Sequence, residues 1–395
     1  MVLVSKMGIY THLYIFFMQR YIQSFIKADS DQKMILLSGP RQTGKTTLTK
    51  NLFHNCDYLN FDLSEDRERL RKKYWNRNGD AVIFDELHKM PQWKRWLKGV
   101  YDTEKKTPCL IVTGSAQFDT FRKVGDSLAG RYFSYRLHPI DIQEACLYWE
   151  NDPVKAMENI LQFSGFPEPF LKADPNFYRR WQKSHLDIML RQDFLDLYAI
   201  RHVKMLEILV DLLKSRAGSQ LSHASLARDV QADHKTIKNW IDMLENIYAV
   251  FRITPYHRNV ARSILKEPKI YFYDVARIKD PGAQLENLVA CALLKAIHFL
   301  EDTKGYKGSL HYLRTKDGHE IDFCVCIDDK PILAVEVKTK KDEPSSAFRI
   351  FNKSLDGARK VQLVKHIKRE FTSPDGIDVL SLPHFLKDLD LSKLI

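Results

Sequence analysis

The feature that most constrains this chain is a short apolar run, Met34-Ile35-Leu36-Leu37-Ser38, which leads into Gly39-Pro40-Arg41-Gln42-Thr43-Gly44-Lys45-Thr46 and then the helix-compatible Thr47-Leu48. A brief apolar run bounded by glycine reads as a buried strand, and strand, G-x-x-x-x-G-K-T loop, helix is the context that a phosphate-binding loop requires. The chemistry dictates the residue types. Gly39 and Gly44 let backbone N–H groups turn toward phosphate oxygens, the helix N-terminus adds positive potential, and Lys45 reaches the β and γ oxygens. Thr46 is expected to offer its hydroxyl to Mg²⁺, while Pro40, Arg41, Gln42, Thr43 and Thr47 complete the cradle.

Ala81-Val82-Ile83-Phe84 is a second buried-strand run, and it ends in Asp85-Glu86. Asp85 fits the magnesium side of a nucleotide site, and Glu86 fits a residue that polarises the attacking water. Cys109 to Ser115 forms a third run, whose Thr113 and Ser115 read either as γ-phosphate sensors or as ordinary strand-end polar residues. Tyr58 to Asp62 and Phe133 to Leu137 complete an expected five-stranded parallel sheet with intervening helices. For an arginine on the developing phosphoryl charge, the candidates are Arg131 and Arg191, each with a plain ion pair as its alternative.

From these residues the chain resembles bacterial and archaeal AAA-type ATPases that carry a Gly-Pro-Arg-Gln-x-Gly-Lys-Thr-Thr loop and a carboxy-terminal domain of unknown function. The matching stretches are Gly39 to Leu48, Phe84-Asp85-Glu86, Thr113-Gly114-Ser115, Leu128-Ala129-Gly130-Arg131, Gly165-Phe166-Pro167-Glu168 and Lys269-Ile270-Tyr271-Phe272, and the likeness runs from about Gln19 to the end. Ser164 departs from the pattern, which usually has glycine there. The resemblance implies ATP as ligand.

Composition narrows the partners only coarsely. The 395 residues carry a formal charge of +11 with 28% charged and 44% apolar residues, which excludes general disorder and favours an anionic partner. The six cysteines have no C-x-x-C pair, so a reducing compartment is expected and a structural zinc site is not. The apolar run from Val2 to Met18 is broken by Thr11 and His12 and is too short to span a bilayer. It reads as a docked terminal helix or as residues upstream of a start near Met18, and the protein is expected to be cytoplasmic, without membrane contact.

Ile142 to about Ser215 reads as helices, with Trp149, Phe177, Trp181, Leu186, Met189, Leu190 and Phe194 as core positions. Leu221 to Val230 and His234 to Leu244 are two short helices, capped by Ser222 and Asp233 and followed by the strand Ala249 to Ile253. This pattern predicts a winged helix-turn-helix. If it binds DNA, His234, Lys235, Lys238 and Asn239 face the major groove, while Tyr256, His257, Arg258 and Arg262 reach the backbone. The alternative is a spacer or subunit contact.

A helix opening at Gln284 precedes three strand-like segments, Leu310 to Arg314, Glu320 to Ile327 and Ile332 to Thr339, with a turn at Asp328 to Pro331. Antiparallel pairing about Asp329 sets Asp322 across from Glu336, with Lys338 two residues along on the same face. Such a carboxylate pair suits Mg²⁺ or Mn²⁺ and an activated water, with Glu286 completing the metal set and Lys338 acting on the water. Glu on a helix, Asp on a strand, then Glu-x-Lys resembles the PD-(D/E)XK nuclease superfamily; its αβββαβ order fits if Ser345 to Leu355 is a helix and Val361 to Val364 the last strand. A charged strand ladder is the plain alternative.

The expected fold class is therefore multidomain α/β: an N-terminal segment (1–30), a P-loop NTPase of AAA+/RecA-like parallel-sheet type (31–140), a helical connector (141–215), a winged helix (216–262) and a nuclease-like α/β domain (263–395). The expected function is an ATP-hydrolysing ATPase coupled to a DNA-engaging, metal-dependent nuclease-like domain, in a chain able to form homo-oligomers. The alternative is a nucleotide-switched DNA-binding regulator or interaction scaffold whose nuclease fold is inert.

Overall fold

Strands that read as unbroken apolar runs form the centre of the first of two units. In the computed structural model, which describes residues 19–104, 108–115, 128–190, 203–256 and 267–395, that unit holds residues up to Pro139 together with Asn246–Tyr248. Strands β1 (Met34–Ser38), β2 (Cys56–Asn60), β3 (Ala81–Asp85), β4 (Cys109–Gly114) and β5 (Tyr132–Arg136) pair in parallel in the order β2-β3-β4-β1-β5. Every residue of β1, β3 and β4 is buried, because crossover helices cover both faces of a parallel sheet. The helices are α1 (Gln23–Ser30), α2 (Lys45–Leu52), α3 (Ser64–Lys72) and α4 (Trp93–Glu104). Leu36, Val82, Phe84 and Val112 share one face and pack with Leu70, Trp75 and Leu97. Trp75 and Trp96 meet the Phe84 ring edge-on at 5.4 and 5.5 Å. Each fully buried Phe or Leu contributes about 1.5–3 kcal/mol, so this layer holds rigid the carboxyl ends of β1, β3 and β4, at which Gly39, Asp85 and Ser115 stand.

The second unit comprises Ile140–Glu245 and Ala249–Ile395. Its helical part runs through α5 (Ile142–Cys146), α6 (Pro153–Phe163), α7 (Pro167–Lys172), α8 (Pro175–Ile188) and α9 (Val203–Ser215). Asp141, Asp152 and Asp174 cap α5, α6 and α8 by accepting N–H bonds from the first turn. Ser164, just after α6, has φ +77°, a region that glycine enters without a Cβ penalty; this accounts for the glycine usual at this point of the resemblance. Helices α10 (His223–Val230) and α11 (His234–Asn246) start at Ser222 and Asp233, whose side chains accept from Ser225 N and Thr236 N. Ile237, Trp240, Ile241 and Leu244 bury one face of α11, as 3.6-residue periodicity requires.

The strand after α11 is not confined to a wing. β6 (Val250–Pro255) pairs antiparallel with β7 (Lys269–Phe272), but it also pairs in parallel with β8 (Gly308–Arg314) through Thr254↔His311 and Pro255↔Tyr312. An eight-stranded sheet results, with β7 at one edge followed by β6 and β8, and the boundary expected at 262/263 falls inside the β6–β7 pairing. The physical reason is burial, since all four residues of β7 and four of the six in β6 are buried, and a two-stranded wing cannot bury both its faces.

The remaining elements are α12 (Pro281–Lys304), β9 (Glu320–Ile327), β10 (Lys330–Lys338), α13 (Ala347–Ile350), β11 (Arg359–Val364), β12 (Phe371–Thr372), β13 (Ile377–Ser381) and α14 (Leu382–Lys387). β8, β9 and β10 form an antiparallel meander, and β11 lies parallel to β10. Asp328 and Asp329, at φ +49° and +63°, make the two-residue turn between β9 and β10. The helix expected over 345–355 shrinks to the single turn α13 and a 3₁₀ turn, Asn352–Ser354. Among the described residues, α12 is the helix with the length and apolarity of a bilayer span, and it buries Leu285, Leu288, Val289, Leu293, Ile297 and Leu300 within its unit.

Candidate nucleotide site and an acidic cluster

Gly39 leaves β1 at φ +147°, and a Cβ there would stand 2.3 Å from the Leu137 carbonyl oxygen, so no other residue fits. Gln42 and Gly44 also take positive φ, at +62° and +92°, which curls residues 39–44 back over the start of α2. The first N–H groups of α2 have no intrahelical acceptors and point into that curl, as anion binding requires. Lys45 is buried, and its Nζ donates to the Gly39 and Pro40 carbonyls at 2.8 and 2.7 Å. Thr43 closes the loop by donating to Pro40 O at 2.8 Å. Arg41 is partly buried at the loop mouth, and Thr47 is partly buried in the first turn of α2. Arg20, which no motif marked, is buried and donates to the carbonyls of Thr43 (3.0 Å) and His138, fixing the loop from an upstream segment.

The end of β3 meets this loop. Thr46 Oγ1 donates to Asp85 Oδ2 at 3.1 Å, while Tyr58 and Thr113 donate at 2.5 Å to Oδ2 and Oδ1. A hydroxyl and a carboxylate at this separation form the hard oxygen donor set that suits Mg²⁺. Tyr58 was legible only as a strand residue; burial and then Asp85 raise its hydroxyl well above the usual phenol range. Glu86 follows at φ +53°, a sparsely populated region for a non-glycine residue, of the kind that functional sites hold against strain. Ser115 Oγ donates to Glu86 Oε2 at 3.4 Å, and His88 Nε2 lies 3.4 Å from the same oxygen. Burial and the neighbouring Lys89 push His88 down to about 4, so it is neutral at pH 7.

Burial, followed by the charge of Asp85, pushes the Glu86 carboxyl up to about 7 against the opposing pull of Lys45, Arg41 and Lys89. A general base must be ionised to act. Turnover (kcat/KM) for ATP is therefore expected to rise about tenfold per pH unit below about 7 and to level off above it. A pH series of phosphate release at limiting ATP checks this, and a flat profile from pH 5.5 to 8 would remove Glu86 from the role.

Arg131 lies elsewhere. Its backbone carbonyl accepts from Met34 N, at the start of β1, so it sits about five residues, or roughly 17 Å, of strand away from the loop. Its Nε donates to Asp102 Oδ1 at 2.8 Å, and this surface ion pair is the plain alternative to a finger acting on its own subunit's site. Arg191 lies outside the described residues.

In the helix pair, His234, Lys235, Lys238 and Asn239 are exposed on α11, opposite its buried face. Tyr256 is partly buried at the end of β6; His257, Arg258 and Arg262 lie outside the described residues.

In the meander the ladder Leu333↔Val325, Ala334↔Cys324, Val335↔Phe323 brings Asp322 and Glu336 to the next opposed positions. Val337 N donates to Asp322 Oδ2 at 2.8 Å, and Lys338 Nζ donates to Glu336 Oε1 at 2.5 Å. Burial and the charges of Glu336 and Glu286 raise Asp322 well above the usual carboxylate range. Glu336 is 5% exposed and its Oε2 is buried without a hydrogen-bond partner. An orphaned carboxylate oxygen beside a second buried carboxylate fits a divalent cation. Glu286 is engaged differently from the expectation, because its Oε1 accepts from Lys269 Nζ (3.0 Å) and Tyr271 OH (2.6 Å). Accordingly, no group of three His, Cys, Asp or Glu residues arranged to hold a metal occurs among the described residues.

Comparison with known proteins agrees with the first site. Residues 31–146 match the family described as an AAA domain, while residues 154–278 and 281–385 match two families described as domains of unknown function. The chain is 22% identical over 360 residues to an uncharacterized protein of Methanocaldococcus jannaschii, covering 82% of this chain and 79% of that one. It is 23% identical over 317 residues to an uncharacterized protein of Mycobacterium tuberculosis, covering 75% and 68%. A crystal structure of NtrX from Brucella abortus in complex with ATP is similar at 10% identity and a TM-score of 0.22, over 57% of this chain and 67% of that one. The stretch that carries the phosphate-binding loop is thus the one that matches an AAA domain.

Proposed function

We propose that this protein hydrolyses ATP with Mg²⁺ at the Lys45–Thr46–Asp85–Glu86 site and engages DNA through its second unit, where Asp322, Glu336 and Lys338 form a metal-dependent phosphodiester-cleaving centre. The observation that carries the nucleotide half is the junction of two motifs 39 residues apart, Thr46 Oγ1 on Asp85 Oδ2, with Glu86 next in the chain. The loop amides and Lys45 hold the phosphates, Thr46 and Asp85 hold the metal, and Glu86 takes a proton from the attacking water. Mg²⁺ held by Thr46 and Asp85 would offset phosphate charge. An arginine acting on that charge would come from a second copy of the chain.

Three features support the nuclease-like half: the α12-β8-β9-β10-α13-β11 order, the opposed Asp322 and Glu336, and the unpartnered Glu336 Oε2. Lys338 would orient or deprotonate a water and offset phosphate charge. The exposed His234, Lys235, Lys238 and Asn239 supply the matching helix face for a DNA groove. The second reading, a nucleotide-switched DNA binder with an inert centre, draws on the engagement of Glu286 by Lys269 and Tyr271.

Linear, nicked and single-stranded DNA with Mg²⁺ or Mn²⁺, with and without ATP, tests both readings. Metal-dependent nicking lost at least 100-fold in Glu336→Ala is expected, in line with removal of a group that stabilises the transition state. ATP-dependent DNA affinity without product selects the second reading. An ATPase rate and binding signal indifferent to DNA would sink both and favour a protein-interaction scaffold.

A further inference from the structure

We infer that Lys269 is a resident cation of the carboxy-terminal acidic cluster, a positioning residue that holds Glu286 and Glu320 away from a metal and so confines divalent-cation binding to Asp322 and Glu336. This rests on reading that pair as a metal centre. Lys269 lies on β7, outside the helix-and-strand run that carries the nuclease resemblance, and the matching stretch Lys269 to Phe272 gives it no role. Its side chain is only 3% exposed, yet Nζ bonds Glu286 Oε1 at 3.0 Å and Glu320 Oε1 as well, with the Tyr312 ring 5.4 Å away.

The charges around it determine what remains for a metal. Buried carboxylates must be matched by cations or hydrogen-bond donors. Glu286 has Lys269 and Tyr271; Glu320 has Lys269 and Arg314, the latter at 2.5 Å. Glu336 Oε1 has Lys338. Only Asp322, with one backbone N–H, and the orphaned Oε2 of Glu336 are left to bind a further cation. The Gly218 backbone also approaches Glu286 closely, since a Cβ there would lie 3.1 Å from both its carboxylate oxygens. Two carboxylates take one hard divalent ion with water completing its shell; releasing Glu286 would add a third ligand and tighten the site.

Mn²⁺ binding to the full-length protein without nucleotide, followed by electron paramagnetic resonance of the free ion, reads this directly. The component abolished by Glu336→Gln reports the cluster and separates it from the nucleotide site. The wild type is expected to bind one such ion, and Lys269→Met to bind it about tenfold more tightly, the scale on which outer-shell partners tune metal affinity. That gain should vanish in Lys269→Met/Glu286→Gln, whereas a merely structural lysine would yield loss and never gain. A folded Lys269→Met with unchanged or weaker Glu336-dependent binding overturns the inference and leaves the metal centre standing. If Lys269→Met does not fold, Tyr271→Phe, which removes one donor from Glu286 Oε1 and keeps the charge, is read the same way. No Glu336-dependent ion in wild type or any variant overturns both the metal centre and the inference. Binding that appears only in Lys269→Met supports the inference in its strongest form.

Discussion

Lys45→Ala is expected to lower kcat/KM for ATP by at least about 10²–10³-fold, the cost of removing one preorganised charge from a phosphoryl-transfer site. The ammonium is buried and already aimed across the loop mouth by the Gly39 and Pro40 carbonyls, so it needs little reorganisation to meet the β and γ oxygens. The fold should survive, because α2 is anchored by the buried Leu48 and Thr49, and Thr49 donates to the Lys45 backbone carbonyl, which the substitution keeps. Arginine is not expected to rescue it, since a planar fork cannot take the place of a compact three-donor group between those carbonyls. Phosphate release and nucleotide binding measured on the same preparation check this; turnover within threefold of wild type would place hydrolysis elsewhere.

Glu86→Gln is expected to separate binding from chemistry. The amide keeps the shape and a hydrogen bond with Ser115, so ATP should still bind within a few-fold, while hydrolysis falls by about 10²–10⁴-fold, the range of a positioned general base. The rise of kcat/KM through about pH 7 should vanish with it, because the group pushed up by burial and Asp85 is gone. Equilibrium dialysis with ATP together with single-turnover hydrolysis distinguishes the outcomes. Hydrolysis retained with a wild-type pH profile would assign the proton to another group.

The parallel sheet was legible because its strands are buried on both faces and so appear as the apolar runs Met34–Ser38, Ala81–Asp85 and Cys109–Gly114. The caps Ser222 and Asp233 were legible for a similar reason: each satisfies first-turn N–H groups within three residues of itself. Arg20, Tyr58 and Lys269 were not, because each acts on partners that are remote in sequence and belong to no local period. Arg20 reaches Thr43 and His138, Tyr58 reaches Asp85, and Lys269 reaches Glu286 and Glu320. Arg131 shows the converse, as its neighbours in sequence suggested a nucleotide role while the strand direction carries it to the other end of β5.

The sequence by itself determined the phosphate-binding loop, since only glycine at 39 and 44, lysine at 45 and a hydroxyl at 46 satisfy its backbone and charge, and those demands are met within eight residues. It also determined the pairing of Asp322 with Glu336, because a two-residue turn and a period of two set which residues oppose one another. Tertiary structure alone decided that β6 and β7 join the carboxy-terminal sheet, and with them that Lys269 enters the acidic cluster. The reason is that buried charge must be balanced by whatever the fold brings near, and nearness across 17 residues of helix start or 51 residues of chain is not written in any local pattern.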